Sequence, residues 1–303
     1  MRVIATADLH YDWREEIQPQ VETLAREVCA SDAAAFIVAG DTAGFDHSDL
    51  DACLSLFDAF GGRKMLVAGN HDIWVRDGSS MPVLREVIPA ACARHGFDYL
   101  EDGPQVVGDV AFVGTMGWYD YSFRPTDLDV PMRFYEHKTG PGYARAKSDW
   151  RFLIEPPYPA LTSDQLRIST QWQDVRFVKL GVSDPEFANL LAEQLRGHIA
   201  SIRDDADHIV AVLHHLPFRE ALSSRTSPSW RFGNAFMGAE VFGEILAAEP
   251  KVRLAVYGHS HTEGVVMHGP VTGVNCGSTY RHKQYAVIDT GNWSVTYRRV
   301  EVP

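Results

Sequence analysis

Five short apolar runs in this 303-residue chain each break off into a histidine, an aspartate or an asparagine. Val3–Ala7 leads into Asp8-Leu9-His10, Ala35–Ala39 into Gly40-Asp41, and Lys64–Ala68 into Gly69-Asn70-His71-Asp72. Ile209–Leu213 leads into His214-His215, and Leu254–Tyr257 into Gly258-His259-Ser260-His261. Continuous β-branched runs of this length read as strands buried on both faces, and Val110–Gly114 and Tyr285–Asp289 read the same way. Helical patterns fill the early gaps at Glu15–Ala30, Ser48–Phe60 and Pro82–His95. A later helix is marked by Ser183 or Asp184 as N-cap, Pro185 in the first turn and an apolar stripe through Phe187, Leu190, Leu191 and Leu195. Strand–helix alternation with a strand-rich end indicates an α/β layered architecture. In such sheets the carboxyl ends of neighbouring strands face one crevice, where ligands bind. The polar ends of the five runs are therefore expected in one place.

Their chemistry is that of metal ligands. In extended backbone, residues i and i+2 point to the same side, so Asp8 and His10 are expected to share a site, as are His259 and His261. Glycine before Asp41, Asn70 and His259 lets the chain turn sharply and approach closely. Nitrogen and oxygen donors without thiolate suit Mn, Fe or Zn, with Co and Ni admissible, more than a dedicated Ca or Mg cage.

The ordered set Asp8-x-His10, Gly40-Asp41, Gly69-Asn70-His71-Asp72, His214 and Gly258-His259-Ser260-His261 is similar to the signature of the calcineurin-like metallophosphoesterases. The resemblance implies a four-layer α/β/β/α sandwich of two mixed β-sheets with flanking helices, formed as a single domain over residues 1–303. It implies two divalent transition-metal ions, the first held by Asp8, His10 and His261 and the second by Asn70, His214 and His259, with Asp41 bridging. His71 would act as phosphate ligand and general acid, and Asp72 would orient its ring. Two divalent ions less two carboxylates and a bridging hydroxide leave about one positive charge, enough to draw a phosphate to an acidic protein. The implied activity is hydrolysis of a small-molecule phosphomonoester or phosphodiester, nucleotides and cyclic nucleotides included, by a metal-bridging hydroxide. The alternatives are a DNA or RNA nuclease of the same superfamily and a non-catalytic metal-binding scaffold.

Departures from subfamily patterns narrow this. Purple acid phosphatases carry an iron-binding tyrosine three residues after the bridging aspartate, where this chain has Gly44. Protein Ser/Thr phosphatases resemble GDxVDRG and GNHE; here the stretches are Gly40-Asp41-Thr42-Ala43-Gly44-Phe45-Asp46 and Gly69-Asn70-His71-Asp72. A net charge of −12 argues against a dedicated nucleic-acid partner or an anionic membrane, both of which call for a basic face. A small phosphorylated substrate is the partner expected. No apolar run approaches the roughly 20 residues of a membrane span, and the start at Met1 lacks the pattern of a signal peptide. Cys29, Cys53, Cys92 and Cys276 form no CxxC pair, so a cytoplasmic setting with reduced thiols is expected.

The stretch from Gly117 to Val182 carries six of the 16 prolines and many aromatics without periodicity, and reads as a lid-like insertion at about 117–182. Trp118, Tyr119 and Tyr121 either wall a pocket or cover the core edge, and Arg133, Lys138 and Arg145 read as solvated rather than as phosphate contacts. Of the adjacent pair, His214 is the expected ligand and His215 a packing residue. His47 reads as a solvated residue ahead of a helix capped by Ser48. Arg281 and His282 follow the turn at Asn275-Cys276-Gly277-Ser278 and are candidate substrate contacts.

Overall fold

Each of the seven apolar runs forms a strand in the structure, a computed structural model that describes residues 1–45 and 47–301. In chain order the strands are β1 (Arg2–Thr6), β2 (Ala35–Ala39), β3 (Arg63–Val67), β4 (Phe97–Tyr99), β5 (Gln105–Val107) and β6 (Val110–Thr115). They continue as β7 (His208–Leu213), β8 (Val252–Tyr257), β9 (Gly264–His268), β10 (Val271–Asn275), β11 (Gln284–Asp289) and β12 (Ser294–Arg299). One sheet has the order β12-β11-β1-β2-β3-β4 and the other β5-β6-β7-β8-β10-β9. Both are mixed: β1 to β4 run parallel, β6, β7, β8 and β10 run parallel, and the outer pairings are antiparallel.

The two-residue period of each strand divides its side chains between two cores. Val3, Ala5, Ile37, Met65 and Val67 meet Phe112, Val210, Val212, Leu254 and Val256 in a layer between the sheets. The alternate residues Ile4, Phe36, Val38 and Leu66, and Val113, Ile209 and Ala211, join a second cluster with helical side chains such as Val21, Leu24, Leu191 and Leu195. Strands buried on both faces and helices outside them make the α/β layering that the apolar runs indicate and the sandwich that the resemblance implies. Strands β4, β5, β9, β10 and β12 lie outside those runs. β9 shows why, since its apolar run is only three residues long, Val265 to Met267, and Val265 and Met267 are exposed.

The helices follow the sequence with shifts at their ends. Gln18–Cys29 and Ile88–Arg94 are α-helical, the latter continuing a π-type turn at Val83–Val87. The helix placed at Ser48–Phe60 runs from His47 to Ser55, so Ser48 lies inside it, and the capping position, residue 46, is outside the described residues. Ser183 is the N-cap of Asp184–Ile202, in a reciprocal capping box with Glu186. Leu190 does not belong to that helix's buried stripe and is 58% exposed. The buried face runs through Phe187, Ala188, Leu191, Ala192 and Leu195, and Leu190 projects more than a quarter-turn away from it. No helix among the described residues is long and apolar enough to cross a membrane.

The segment between β6 and the helix at Asp184 is packed rather than irregular. It contains short helices at Met132–Glu136, Pro141–Ala146 and Asp174–Phe177. Trp118, Tyr119, Phe134 and Tyr135 are all buried within it. Trp118 and Tyr121 donate to the Asp184 carboxylate and Tyr119 donates to Asp174, so these aromatics cover the core edge. Lys138 is committed to Asp184, and the Arg133 guanidinium lies 3.9 Å over the Tyr158 ring.

Candidate metal centre

Neighbouring strands β1, β2 and β3 deliver Asp8, His10, Asp41, Asn70 and His71 from one sheet. Neighbouring strands β7 and β8 deliver His214, His259 and His261 from the other. The polar run-ends therefore converge where the carboxyl edges of two sheets meet. Backbone bonds lock the loops together: the Asp8 amide donates to the Gly40 carbonyl and the His10 amide to the Asp41 carbonyl, both at 2.9 Å. Across the sheets, the His259 amide donates to the Asp8 carboxylate at 3.1 Å.

The backbone at these ligands is left-handed, not extended. Asp8 (φ 55°), His10 (φ 44°), Asp41 (φ 54°), His259 (φ 68°) and His261 (φ 54°) all have positive φ, a conformation of order 1–3 kcal/mol for a non-glycine residue. Asp8 and His10 do share a site, but through two sharp reversals rather than the pleat of a strand. The glycines serve close approach between ligand loops. A Cβ on Gly40 would stand 2.5 Å from His214 Nδ1, and one on Gly69 would stand 2.1 Å from Asp41 Oδ1.

Donor atoms crowd together in consequence. Asp8, His10 and His261 form one group and Asp41, His214 and His259 another, while Asp41 also groups with His10 and His71; within each group the ligand atoms lie within 4.8 Å. His214 Nε2 is 3.3 Å from Asp41 Oδ1, 3.2 Å from Asn70 Oδ1 and 3.2 Å from His259 Nδ1. His10 Nε2 and His261 Nδ1 are buried without a hydrogen-bond partner. An orphaned imidazole nitrogen facing carboxylates, as His10 Nε2 does at 3.7 Å from Asp41 Oδ2 and 4.0 Å from Asp8 Oδ1, is what a metal-ligand set presents, since buried polar atoms are otherwise satisfied. The residues fit a divalent metal.

Electrostatics agree. Burial pushes His10 and His259 well below the ordinary histidine range and His261 down to about 3, leaving the neutral rings that ligate. Burial raises Asp8 to about 7, with Asp41 adding to the shift. Burial would raise Asp41 too, but the neighbouring His214, His71 and His10 hold it well below the carboxylate range. His214 is pushed up to about 9: burial opposes its charge, but Asp41 and Asp8 prevail. A metal ion held at His214 would take the place of that proton.

His214 rather than His215 faces the centre. The ring Nδ1 of His215 lies 3.1 Å from the Met116 carbonyl, and burial lowers this histidine to about 3. It belongs to none of the donor groups. His71 Nε2 stands 4.0 Å from Asp41 Oδ2, and its ring stacks on Trp74 at 3.7 Å. The expected contact from Asp72 to that ring is absent. Asp72 instead accepts from the amides of Thr42, Ala43 and Gly69 at 2.7–2.9 Å, because backbone N–H groups of two converging loops surround it. It ties loops together, and Trp74 sets the plane of His71.

Three residues at the centre escaped sequence reasoning. Asp174, buried, accepts from Asn70 Nδ2 at 2.9 Å, Trp74 Nε1 at 2.8 Å, Tyr119 Oη at 3.0 Å and Trp172 Nε1 at 2.8 Å. These four donors fill the acceptor capacity of a carboxylate. They turn the Asn70 oxygen toward His214 and fix the indole beneath His71. No spacing could have found Asp174, which is 104 positions from Asn70. Tyr280 stacks 4.5 Å from both His10 and His261, with its hydroxyl 3.4 Å from His71 Nε2. Lys283, fully buried, donates to the Asp8 carbonyl at 2.6 Å, and burial lowers it to about 8. Both follow the turn that pointed to Arg281 and His282, one position before and one after that pair. Arg281 borders a cavity at the site, whereas His282 bonds to Thr279 of its own loop, its amide donating to Oγ1 and its carbonyl accepting from the Thr279 amide.

Asp174→Ala is expected to weaken metal affinity about 10- to 100-fold, the usual effect of losing a group that orients a ligand. Asp174→Asn, which keeps the shape, should lose less. Metal titration of both variants checks this, and wild-type affinity in both would show that Asn70 needs no such support.

Among curated proteins none matches the sequence significantly. Solved structures do match. Phosphopantetheinyl hydrolase from Mycobacterium tuberculosis aligns with a TM-score of 0.70 at 18% identity, over 92% of this chain and 89% of that one. A dimetal phosphatase from Danio rerio aligns with a TM-score of 0.57 at 12% identity, over 99% of both chains. At such identities the likeness is one of fold. The sequence model for calcineurin-like phosphoesterases matches residues 1–263. That match, over a sandwich whose two sheets bring clustered histidines and aspartates to one edge, places the chain in the calcineurin-like phosphoesterase family as a metal-dependent phosphoesterase.

Proposed function

We propose that the protein hydrolyses a small-molecule phosphomonoester or phosphodiester at a centre of two divalent transition-metal ions, which when bound supply the hydroxide nucleophile and Lewis-acid stabilisation of the reacting phosphoryl group. The observation that carries this reading is the pair of adjoining donor groups, buried but for the half-buried His261 and each containing a carboxylate. Asp8, His10 and His261 would hold one ion, and Asn70, His214 and His259 the other. Asp41 groups with ligands of both and would bridge them. Asn70 contributes an uncharged oxygen, so the set keeps a residual positive charge for the phosphate.

The chain's own residues then bind and protonate. His71 converges with His10 and Asp41, its Nε2 4.0 Å from Asp41 Oδ2, and would contact a phosphoryl oxygen and pass a proton to the leaving oxygen. Tyr280, over His10 and His261, shields the centre from water. Asp174 holds Asn70 and Trp74 in register from within the 117–182 segment, which gives that segment a part in shaping the site. Residues 1–303 would act as one phosphoesterase domain in a cytoplasmic setting.

The test is metal analysis, followed by assays of protein reconstituted with Mn, Fe, Zn, Co or Ni on p-nitrophenyl phosphate and bis-p-nitrophenyl phosphate. The named activity of the Mycobacterium tuberculosis structure adds a phosphopantetheinyl ester to the panel. Activity lost to a chelator and restored by metal is expected on at least one ester. Inactivity of every metal form on every ester would leave a metal-binding scaffold. Metal-dependent cleavage of DNA at physiological salt, with no turnover of the small esters, would make the protein a nuclease.

A further inference from the structure

Beside His259 and His261 opens a cavity of about 440 Å³, within the range of small-molecule sites. Its walls include two tryptophans, Trp172 and Trp230, and two arginines, Arg225 and Arg281, but no aspartate or glutamate. In a chain with 40 acidic against 28 basic residues, that composition is selective. Neither guanidinium has a carboxylate partner among the described residues. Both indoles are held. Trp172 donates its N–H to Asp174, and the Arg225 guanidinium lies 4.0 Å over the Trp230 ring. Stacking of this kind orients a planar guanidinium while leaving its N–H groups free to meet an anion.

Resting on the phosphoesterase reading above, we propose that this cavity receives the leaving group of the substrate, and that the substrate is a phosphoester bearing a second anionic group on a flat or apolar body. The reacting phosphate lies toward the histidines, the body against Trp172 and Trp230, and the second anion between Arg225 and Arg281. An anion on the leaving group would meet two exposed guanidiniums, whereas a neutral leaving group would leave both idle. The volume suits a molecule of mononucleotide size and excludes a long polymer inside the cavity.

The test uses probes that cannot be hydrolysed, so that binding is read apart from turnover. Benzylphosphonate and 4-carboxybenzylphosphonate differ only in the second anion. Calorimetry on the metal-loaded protein is expected to show the carboxylated probe binding about tenfold or more tightly, the usual worth of a charge-assisted hydrogen bond. Arg225→Met and Arg281→Met should each reduce that preference, and the double variant should abolish it. Equal affinities in the unmodified protein, or a preference surviving the double variant, would overturn the proposal. The phosphate pair, phenyl phosphate and 4-carboxyphenyl phosphate, separates the two readings. Selective phosphonate binding without hydrolysis of these phosphates or of any other ester in the panel supports the cavity and sinks the phosphoesterase; hydrolysis with equal binding does the reverse.

Discussion

Gly69→Ala is expected to empty the metal centre and lower kcat/KM by at least about 100-fold, although it adds one methyl group. A Cβ at this position would stand 2.1 Å from Asp41 Oδ1 and 2.4 Å from the Asp41 amide nitrogen. Neither atom has room to retreat. Asp41 sits in a left-handed turn, its carbonyl accepts the His10 amide, and its carboxylate accepts the His71 amide at 2.9 Å. The methyl therefore displaces the carboxylate that groups with ligands on both sides, and a displacement near 1 Å is enough to cost two orders of magnitude. Overpacking adds a stability loss of about 1–3 kcal/mol. Gly61→Ala is the control, since nothing lies within 4 Å of a Cβ there. Metal content by elemental analysis, with kcat/KM on an active ester, decides the matter. A Gly69→Ala protein that retains full metal and near-native turnover would show that Asp41 does not need its observed position.

His71→Ala should act in the opposite manner, sparing the metals and removing about 10²–10⁴ in turnover. The ring groups with His10 and Asp41, stacked on Trp74 and near Tyr280, and its removal leaves the two other donor groups whole. The loss should depend on the leaving group. An alkoxide needs a proton as it departs, and an alkyl phosphate should show the full effect. p-Nitrophenolate leaves as a stable anion, so p-nitrophenyl phosphate should show much less. Equal losses on both esters would reduce His71 to a phosphate contact, and loss of metal would make it a ligand. Burial lowers this histidine, ahead of the attraction of Asp41, so the ring is neutral before an anionic substrate arrives.

Much of this was legible in the residues. The seven apolar runs became strands because a two-sided core demands apolar side chains at every position, and that pattern is local. Strands β9 and β12, half-exposed at the sheet edges, carry a diluted signal and were missed. Leu190 was misassigned because helical spacing alone does not say where the buried face is centred. The role of the aromatics at 118–121 is set by Asp174 and Asp184, distant carboxylates that bind their polar ends and that no local pattern connects to them.

The sequence by itself determined the donor types, their positions at strand ends and the order that marks the family, since ligand chemistry is a property of single side chains. Tertiary structure alone decided how those donors meet. Five residues adopt left-handed backbone that the surrounding loops impose, His214 instead of His215 turns inward, and Asp72 serves amides instead of a ring. Asp174, Tyr280 and Lys283 reach the centre from segments far along the chain. Contacts across such separations depend on how two sheets stack, and no local spacing encodes that.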